Sequence, residues 1–327
     1  MRKITLIWIA IVALAIIASV AGTTYYFTVA MRERRRLVVS TTTSLYDTGL
    51  LDVIEKEFEK KYPVDLYFIS VGTGQAVQHA KRGDADVILV HAPPVEQAFL
   101  TEGYGVCRKI IAYNFFVIVG PADDPAGIKG LNLVSALRKV VETGRSGNAV
   151  WVSRGDNSGT HVKEKSLWNL AGFDWSTLKD ESWFIESGTG MGKTLLIANE
   201  RNAYTLADIG TYLKYYSDGL IGLQVFVSRE RELLNVYSVI AVNPEKNVDV
   251  NFEDAITFIK FLTSDECQTL IENFKKKEYG RNLFYPAVNL MKSGVNSEVA
   301  GWIRDYAFFN GSECPPAYRD GHPELYE

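Results

Sequence analysis

The sequence predicts a two-lobed α/β protein with a ligand cleft between its lobes, and three observations carry that prediction. A short apolar strand, a turn of small and hydroxyl residues and a helix follow one another repeatedly, in both halves of the chain. Two long β-like segments, 110–119 and 236–243, are spaced as crossings between those halves. The chain has 327 residues, room for two units of about 100–200 residues each.

Residues 4–30 carry no charge. About 20 apolar residues cross a bilayer, so this segment reads as a membrane span or a long signal peptide. Ser19-Val20-Ala21 resembles a small-residue cleavage site. Arg2 and Lys3 precede the segment, and Arg32, Arg34, Arg35 and Arg36 follow it. That balance alone would keep the body on the cytoplasmic side; the turns and the family resemblance of the body argue for the other side. Without its first 36 residues the chain loses six Lys/Arg and one Glu, which leaves 29 basic against 38 acidic residues and a net charge of −9. Such a body does not bind nucleic acid by bulk electrostatics. An anion would have to be held by local donors.

Leu37 to Ser40 form the first strand of the body, which runs into Thr41-Thr42-Thr43-Ser44. Leu50, Leu51, Ile54 and Phe58 then share one helical face, and Pro63 ends that helix. A strand at 64–70 meets Val71-Gly72-Thr73-Gly74, followed by a helix through Ala76, Val77 and Ala80. A third strand spans 85–90. Three strands with helices between them make a parallel sheet, and ligands of such sheets sit beyond the carboxyl ends of the strands. Both small-residue turns lie there.

Residues 106–119 read as β, and Pro121 to Gly127 break the chain. A helix at 133–143 precedes the strand 149–152, the polar turn 153–160 and a helix with apolar Val162, Leu167, Trp168, Leu170 and Ala171. A strand at 182–186, the turn 187–192 and a helix through Leu195, Leu196 and Ala198 repeat the pattern. A helix near 208–216, strands at 223–227 and 237–242, and helices at 252–263, 265–274 and 297–308 complete the chain. The expected division is an anchor or signal at 1–36, one lobe from 37–118 plus 238–327, and a second lobe from 119–237.

The turn Ser153-Arg154-Gly155-Asp156-Asn157-Ser158-Gly159-Thr160 has the makings of an anion trap. The first N–H groups of a helix have no partner inside it and sit at the positive end of its dipole. Ser158 and Thr160 add hydroxyls, Gly155 and Gly159 admit close approach, and Arg154 adds a fork of donors suited to an oxyanion. The plainer reading is a helix cap by Asp156, Asn157 or Ser158. The recurrence of similar turns favours the ligand.

Other readings compete. Ser187 to Thr194 is one residue short of a phosphate-binding GxxxxGK[ST] loop, since Ser187 replaces the first glycine, and no magnesium-holding aspartate strand follows. No G-x-S-x-G elbow supports a serine hydrolase. Arg154-Gly155-Asp156 spells an adhesion tripeptide, which chance also supplies. Cys107, Cys267 and Cys314 have no metal spacing, and their disulfide pairing stays open. The four histidines, 79, 91, 161 and 322, are scattered and suggest no metal site.

An ordered set of segments over about 37–290 resembles the tungstate-binding TupA family of ABC importers. It comprises Ser-Thr-Thr-Thr-Ser at 40–44, Val-Gly-Thr-Gly-Gln at 71–75, Arg-Gly-Asp-Ala-Asp-Val-Ile-Leu-Val-His-Ala-Pro at 82–93 and Val-Ile-Val-Gly-Pro at 117–121. Ser-Arg-Gly-Asp-Asn-Ser-Gly-Thr-His at 153–161, Gly-Thr-Gly-Met-Gly-Lys-Thr-Leu at 188–195 and Tyr-Thr-Leu-Ala-Asp-Ile-Gly-Thr-Tyr-Leu at 204–213 continue it. The run 233–244 and Leu-Phe-Tyr-Pro at 283–286 close it.

The resemblance implies a type II periplasmic-binding-protein-like fold and no enzymatic activity. It implies an extracytoplasmic protein, membrane-anchored or secreted, that is monomeric and delivers its ligand to a permease served by a cytoplasmic ATPase. The ligand would be tungstate, with molybdate, phosphate or sulfate as alternatives, and no cofactor or metal is expected. The implied contacts are Thr42, Thr43, Ser44, Thr73, Gly74, Arg154, Ser158, Gly159 and Thr160, supported from behind by Asp156, Gly190 and Met191. Two positions depart from the family pattern. Phe115 stands where an acidic residue commonly follows Asn114, and Ile209 where an arginine often follows Asp208.

Overall fold

The computed structural model describes residues 8, 13–23, 34–292 and 297–327. Most of the apolar N-terminal segment lies outside the described residues. Of it, 13–23 is helical, and among the described residues no helix is long and apolar enough to cross a membrane.

The first sheet starts with β1 (Arg35–Thr42), which passes through a one-turn helix α1 (Thr43–Tyr46) into α2 (Leu50–Lys61). The expected face of α2, Leu50, Leu51, Ile54 and Phe58, is buried. Next come β2 (Val64–Val71), α3 (Thr73–Arg82), β3 (Val87–Val90), α4 (Pro93–Thr101) and the 16-residue β4 (Gly105–Gly120). β1, β2 and β3 are parallel.

The chain then enters the second sheet. α5 (Leu133–Arg145), capped by Asn132, precedes β5 (Trp151–Ser153) and α6 (Gly159–Ala171), capped by Ser158. β6 (Phe184–Glu186), α7 (Met191–Glu200), β7 (Thr205–Asp208), α8 (Ile209–Ser217) and β8 (Gln224–Ser228) follow. β9 (Leu234–Val242) returns to the first sheet, where α9 (Phe252–Thr263), α10 (Asp265–Asn273), β10 (Tyr285–Pro286) and α11 (Glu298–Ala307) complete it.

The first sheet runs β2-β1-β3-β9-β4-β10, so β9 is inserted between β3 and β4. β4 belongs to both sheets. It pairs with β9 as far as Phe115 and with β7 from Phe116 onward. The expected lobe limits, 118/119 and 237/238, fall inside β4 and β9. In the second sheet β4 lies between β7 and β8, and β5 and β6 join through a bridge from Trp151 to Tyr204.

Each sheet is covered on both faces, as buried strands require. α2, α9 and α10 pack one face of the first sheet through Phe58, Phe258 and Phe261, and α3 and α4 pack the other. α5 and α6 cover one face of the second sheet around Trp151 and Trp168; α7 and α8 cover the other. On α6 the inward face differs from the expected one. Leu170 is exposed, while Lys163 and Glu164 are buried with Leu167 and Trp168. The C-terminal tail is stapled to β4 by Glu313. Its carboxylate accepts from Lys109 Nζ at 2.9 Å and from the Ile110 N–H, and its carbonyl from Arg108 Nη1 at 2.7 Å.

Candidate functional site

The small-residue turns all fall at carboxyl ends of parallel strands, and the two lobes bring them face to face. From the first lobe, Thr42 ends β1, Thr43 and Ser44 open α1, and Thr73 opens α3. From the second, the 153–160 turn joins β5 to α6, and Gly190 precedes α7.

Contacts across the cleft are direct. A Cβ on Gly72 would sit 4.0 Å from the Asp156 carbonyl oxygen and from Ser158 Cα, and one on Gly190 would sit 3.9 Å from Thr43 Oγ1. Lys214 Nζ donates to the Asp47 carbonyl at 2.8 Å. The structure is therefore a closed arrangement, and Thr42, Ser44, Thr73, Arg154, Ser158 and Thr160 are each at most 2 % exposed.

Arg154 is held from two sides. Its Nε donates to the Thr189 carbonyl at 3.3 Å, and its Nη2 pairs with Asp156. Asp156 also accepts from the Ser158 N–H at 3.1 Å, so it shapes the loop as well as orienting the guanidinium. Ser158 Oγ accepts from the His161 N–H at 3.3 Å and keeps its own hydrogen free to donate. Behind the loop, Glu164 is fully buried. It accepts from Trp151 Nε1 at 2.8 Å, Ser153 Oγ at 2.9 Å and Trp168 Nε1 at 3.2 Å, and burial pushes its pKa up to about 7.

Two hydroxyls in this closed space have no partner: Thr73 Oγ1 and Thr160 Oγ1 are buried and make no hydrogen bond. Leaving a buried hydroxyl unpaired costs about 1–3 kcal/mol. The pair comes from opposite lobes, and such groups are what a tetrahedral oxyanion would satisfy. Two members of the sequence-derived set lie apart from this group. Gly74 is exposed, and Met191 is fully buried in the core of the second lobe.

The near-match to a phosphate loop is spent internally. Ser187 Oγ and Thr194 Oγ1 are 2.8 Å apart, and Lys193 is exposed. Among the described residues, no cluster of His, Cys, Asp or Glu could hold a metal ion.

A PBP superfamily domain model matches residues 19–266. A tungstate-binding protein TupA from Peptoclostridium acidaminophilum is 42 % identical over 253 residues, 76 % of this chain and 85 % of the relative. The chain belongs to the TupA family. Among solved structures, TupA from Desulfovibrio alaskensis G20 is 41 % identical with a TM-score of 0.65, over 77 % of this chain and 98 % of that one. The tungstate ABC transporter structure from Geobacter sulfurreducens is 42 % identical with a TM-score of 0.65, over 73 % and 98 %. The periplasmic-binding-protein-like α/β fold expected from the sequence is the fold of this TupA family member.

Phe115 and Ile209, the positions expected to depart from the TupA pattern, fall together. Phe116 pairs with Asp208 at the last step of the β4–β7 ladder, and Phe115 and Ile209 are the residues next to that pair along the chain. Both line one small cavity with Arg229 and Arg281. They lie where β4 changes partner, outside the group of buried donors.

His91 and Asp208 were not among the residues singled out from sequence. His91 follows β3, so it stands at the carboxyl end of the third parallel strand, the position that the TTTS and GTG turns hold on the first two. That position was the readable signal. Its Nε2 is 3.4 Å from Ser44 Oγ, and burial lowers its pKa to about 4. Asp208 caps α8, accepting from the Thr211 N–H at 2.9 Å and Oγ1 at 2.8 Å; burial raises its pKa to about 6.

Proposed function

We propose that this chain is the extracytoplasmic solute-binding component of an ABC importer, closing on tungstate between its lobes and presenting it to the permease. The observation that carries the reading is the pair of buried, unpartnered hydroxyls on Thr73 and Thr160, one from each lobe. Membership of a family whose named members bind tungstate supports the choice of ligand.

In this reading Thr42, Thr43, Ser44 and Thr73 donate from one lobe, and Arg154, Ser158, Thr160 and the first N–H groups of α6 donate from the other. Gly74 contributes at most its N–H. Closure removes the dianion from water, so every oxygen must be paired, because an uncompensated buried charge is very costly. Closing also shapes the surface that the permease reads. The protein is a carrier without catalysis, monomeric, and held at or released from the membrane by its apolar N-terminus.

Competition calorimetry with tungstate, molybdate, sulfate and phosphate tests this. Tungstate and molybdate should bind far above the other two, since tetrahedral size separates the pairs. A preference for phosphate, whose proton Asp47 or Asp156 would then accept, overturns the ligand while leaving the fold.

A further inference from the structure

We propose that His91 takes up one proton at Nε2 when a tetrahedral dianion enters the cleft, and that the resulting imidazolium turns the Ser44 hydroxyl onto the ligand. This deepens the oxyanion reading and rests on it.

His91 is buried among Ser44 from α1, Phe116 from β4, Tyr237 from β9 and Gly159 from α6. Its Nδ1 lies 2.8 Å from Asn235 Oδ1. Asn235 spends both amide hydrogens elsewhere, on Asn114 Oδ1 at 2.9 Å and on Tyr237 Oη at 2.8 Å. With its amide so placed, the Asn235 oxygen can only accept, so the ring hydrogen sits on Nδ1. Nε2 is then a bare lone pair directed at Ser44 Oγ, 3.4 Å away. Thr42 Oγ1 also lies 3.4 Å from Ser44 Oγ, and with Thr42 donating there the single hydrogen of Ser44 is drawn to the ring. A proton on Nε2 reverses the bond. Nε2–H donates to Oγ, and the Ser44 hydrogen is released to the anion. The balance is one proton taken from solvent, with no other bond made or broken.

Charge supplies the drive. The charged and titratable groups around the cleft are Arg154, Lys163, Lys165 and Lys214 with Asp47, Asp156, Asp208, Glu232 and the buried Glu164. A buried dianion adds two negative charges beside His91. Burial holds His91 near 4 against the Asn235 hydrogen bond, and Arg154 and Lys163 both add to it in keeping the ring neutral. A dianion within reach of Ser44 opposes all three and raises a histidine's pKa by several units. The other nearby ring is already committed. His161 Nδ1 accepts from the Asn157 N–H at 2.9 Å, so its Nε2 carries the hydrogen and no free lone pair remains.

Titration calorimetry of tungstate into the full chain at pH 7, in buffers of low and high ionisation enthalpy, counts the protons. About one proton per anion is expected, with affinity falling up to about tenfold per unit as pH rises. In His91→Gln the uptake should fall to near zero. Uptake that persists in His91→Gln overturns the assignment in favour of Glu164 or Asp208. No buffer dependence in the wild type overturns it too, since a ring already protonated at Nε2 would take up nothing. Nitrogen-15 spectra of the wild type, with four histidines to assign, give a reading independent of the variant. Nε2 of His91 should pass from bare to protonated on binding, and an unmoved signal rejects the proposal. If no tetrahedral oxyanion gives heat, the cleft reading itself fails and the proton with it; binding without uptake removes His91's role alone.

Discussion

Gly159 and His91 touch across the cleft, so that a Cβ on Gly159 would lie 2.8 Å from His91 Cε1 and 2.9 Å from Nε2. The glycine opens α6 and the histidine follows β3, one from each lobe. Glycine is required there for space, since its φ is not in the left-handed region. Gly159→Ala should leave the unfolding midpoint within a few degrees of wild type and weaken oxyanion binding at least tenfold, because the lobes could not close as they do. Calorimetry and thermal unfolding read the two effects separately. Unchanged affinity would mean that the bound state does not have this closure.

The proposed donors make a second prediction. A charge-assisted hydrogen bond is worth about 1.5–3 kcal/mol net, so Arg154→Ala should bind at least tenfold more weakly. Thr73→Val and Thr160→Val should behave differently from ordinary core changes. Each removes a buried hydroxyl that has no partner, so stability should hold or rise while affinity drops about tenfold. If either threonine variant loses stability and keeps its affinity, that hydroxyl is structural.

Glu164 predicts a pH effect on folding. Its folded pKa is near 7 against an ordinary 4.5, so between those values the folded chain holds a proton that the unfolded chain has released. Stability from this group therefore falls as pH rises from 4.5 to 7. Asp208 adds the same sign up to about 6, whereas His91 and His161, lowered to about 4, act oppositely below 6.5. Glu164→Gln isolates the first contribution. Relative to wild type it should gain up to ~3 kcal/mol between pH 5 and pH 8 in urea denaturation. A constant difference would show that Glu164 is ionised in the folded protein.

The Phe115–Ile209 pair predicts a coupling. Ile209→Arg would bring a third cation to a cavity already lined by Arg229 and Arg281, while Phe115→Asp would bring a carboxylate to two cations. Ile209→Arg should be the more destabilising single change, by about 2–4 kcal/mol. The double variant should recover more than half of that loss. Additive losses in denaturant melts would mean that the two positions do not meet.

Much of the fold is legible in the residues. The alternation of strands and helices follows from apolar periodicity, and β4, α9 and α10 lie within two residues of where pattern puts them. The hydroxyl-rich turns stand out because a run of Gly, Ser and Thr at the end of a strand has no apolar face to bury. His91 does not stand out, because a single histidine after an apolar strand has no periodicity of its own. Its meaning depends on Asn235, 144 residues away. The inward face of α6 escapes helical spacing for a related reason. Glu164 is buried by two tryptophan N–H groups and a serine, partners that the local pattern cannot reveal. Gly74 shares its turn with Thr73 in sequence, yet one step along a helix points it to the outside.

The place of β9 also governs how the molecule is made. β1, β2 and β3 leave the ribosome early, as does the first part of β4, but the strand that joins β3 to β4 is residues 234–242. Until then the β3 edge, four fully buried aliphatic residues in the finished protein, has no neighbour on that side. The second lobe, by contrast, is one unbroken stretch and can complete itself first. A chain truncated before residue 234 and released should therefore carry a finished second lobe and a sticky, half-built first one, which makes the first lobe the part most in need of a chaperone.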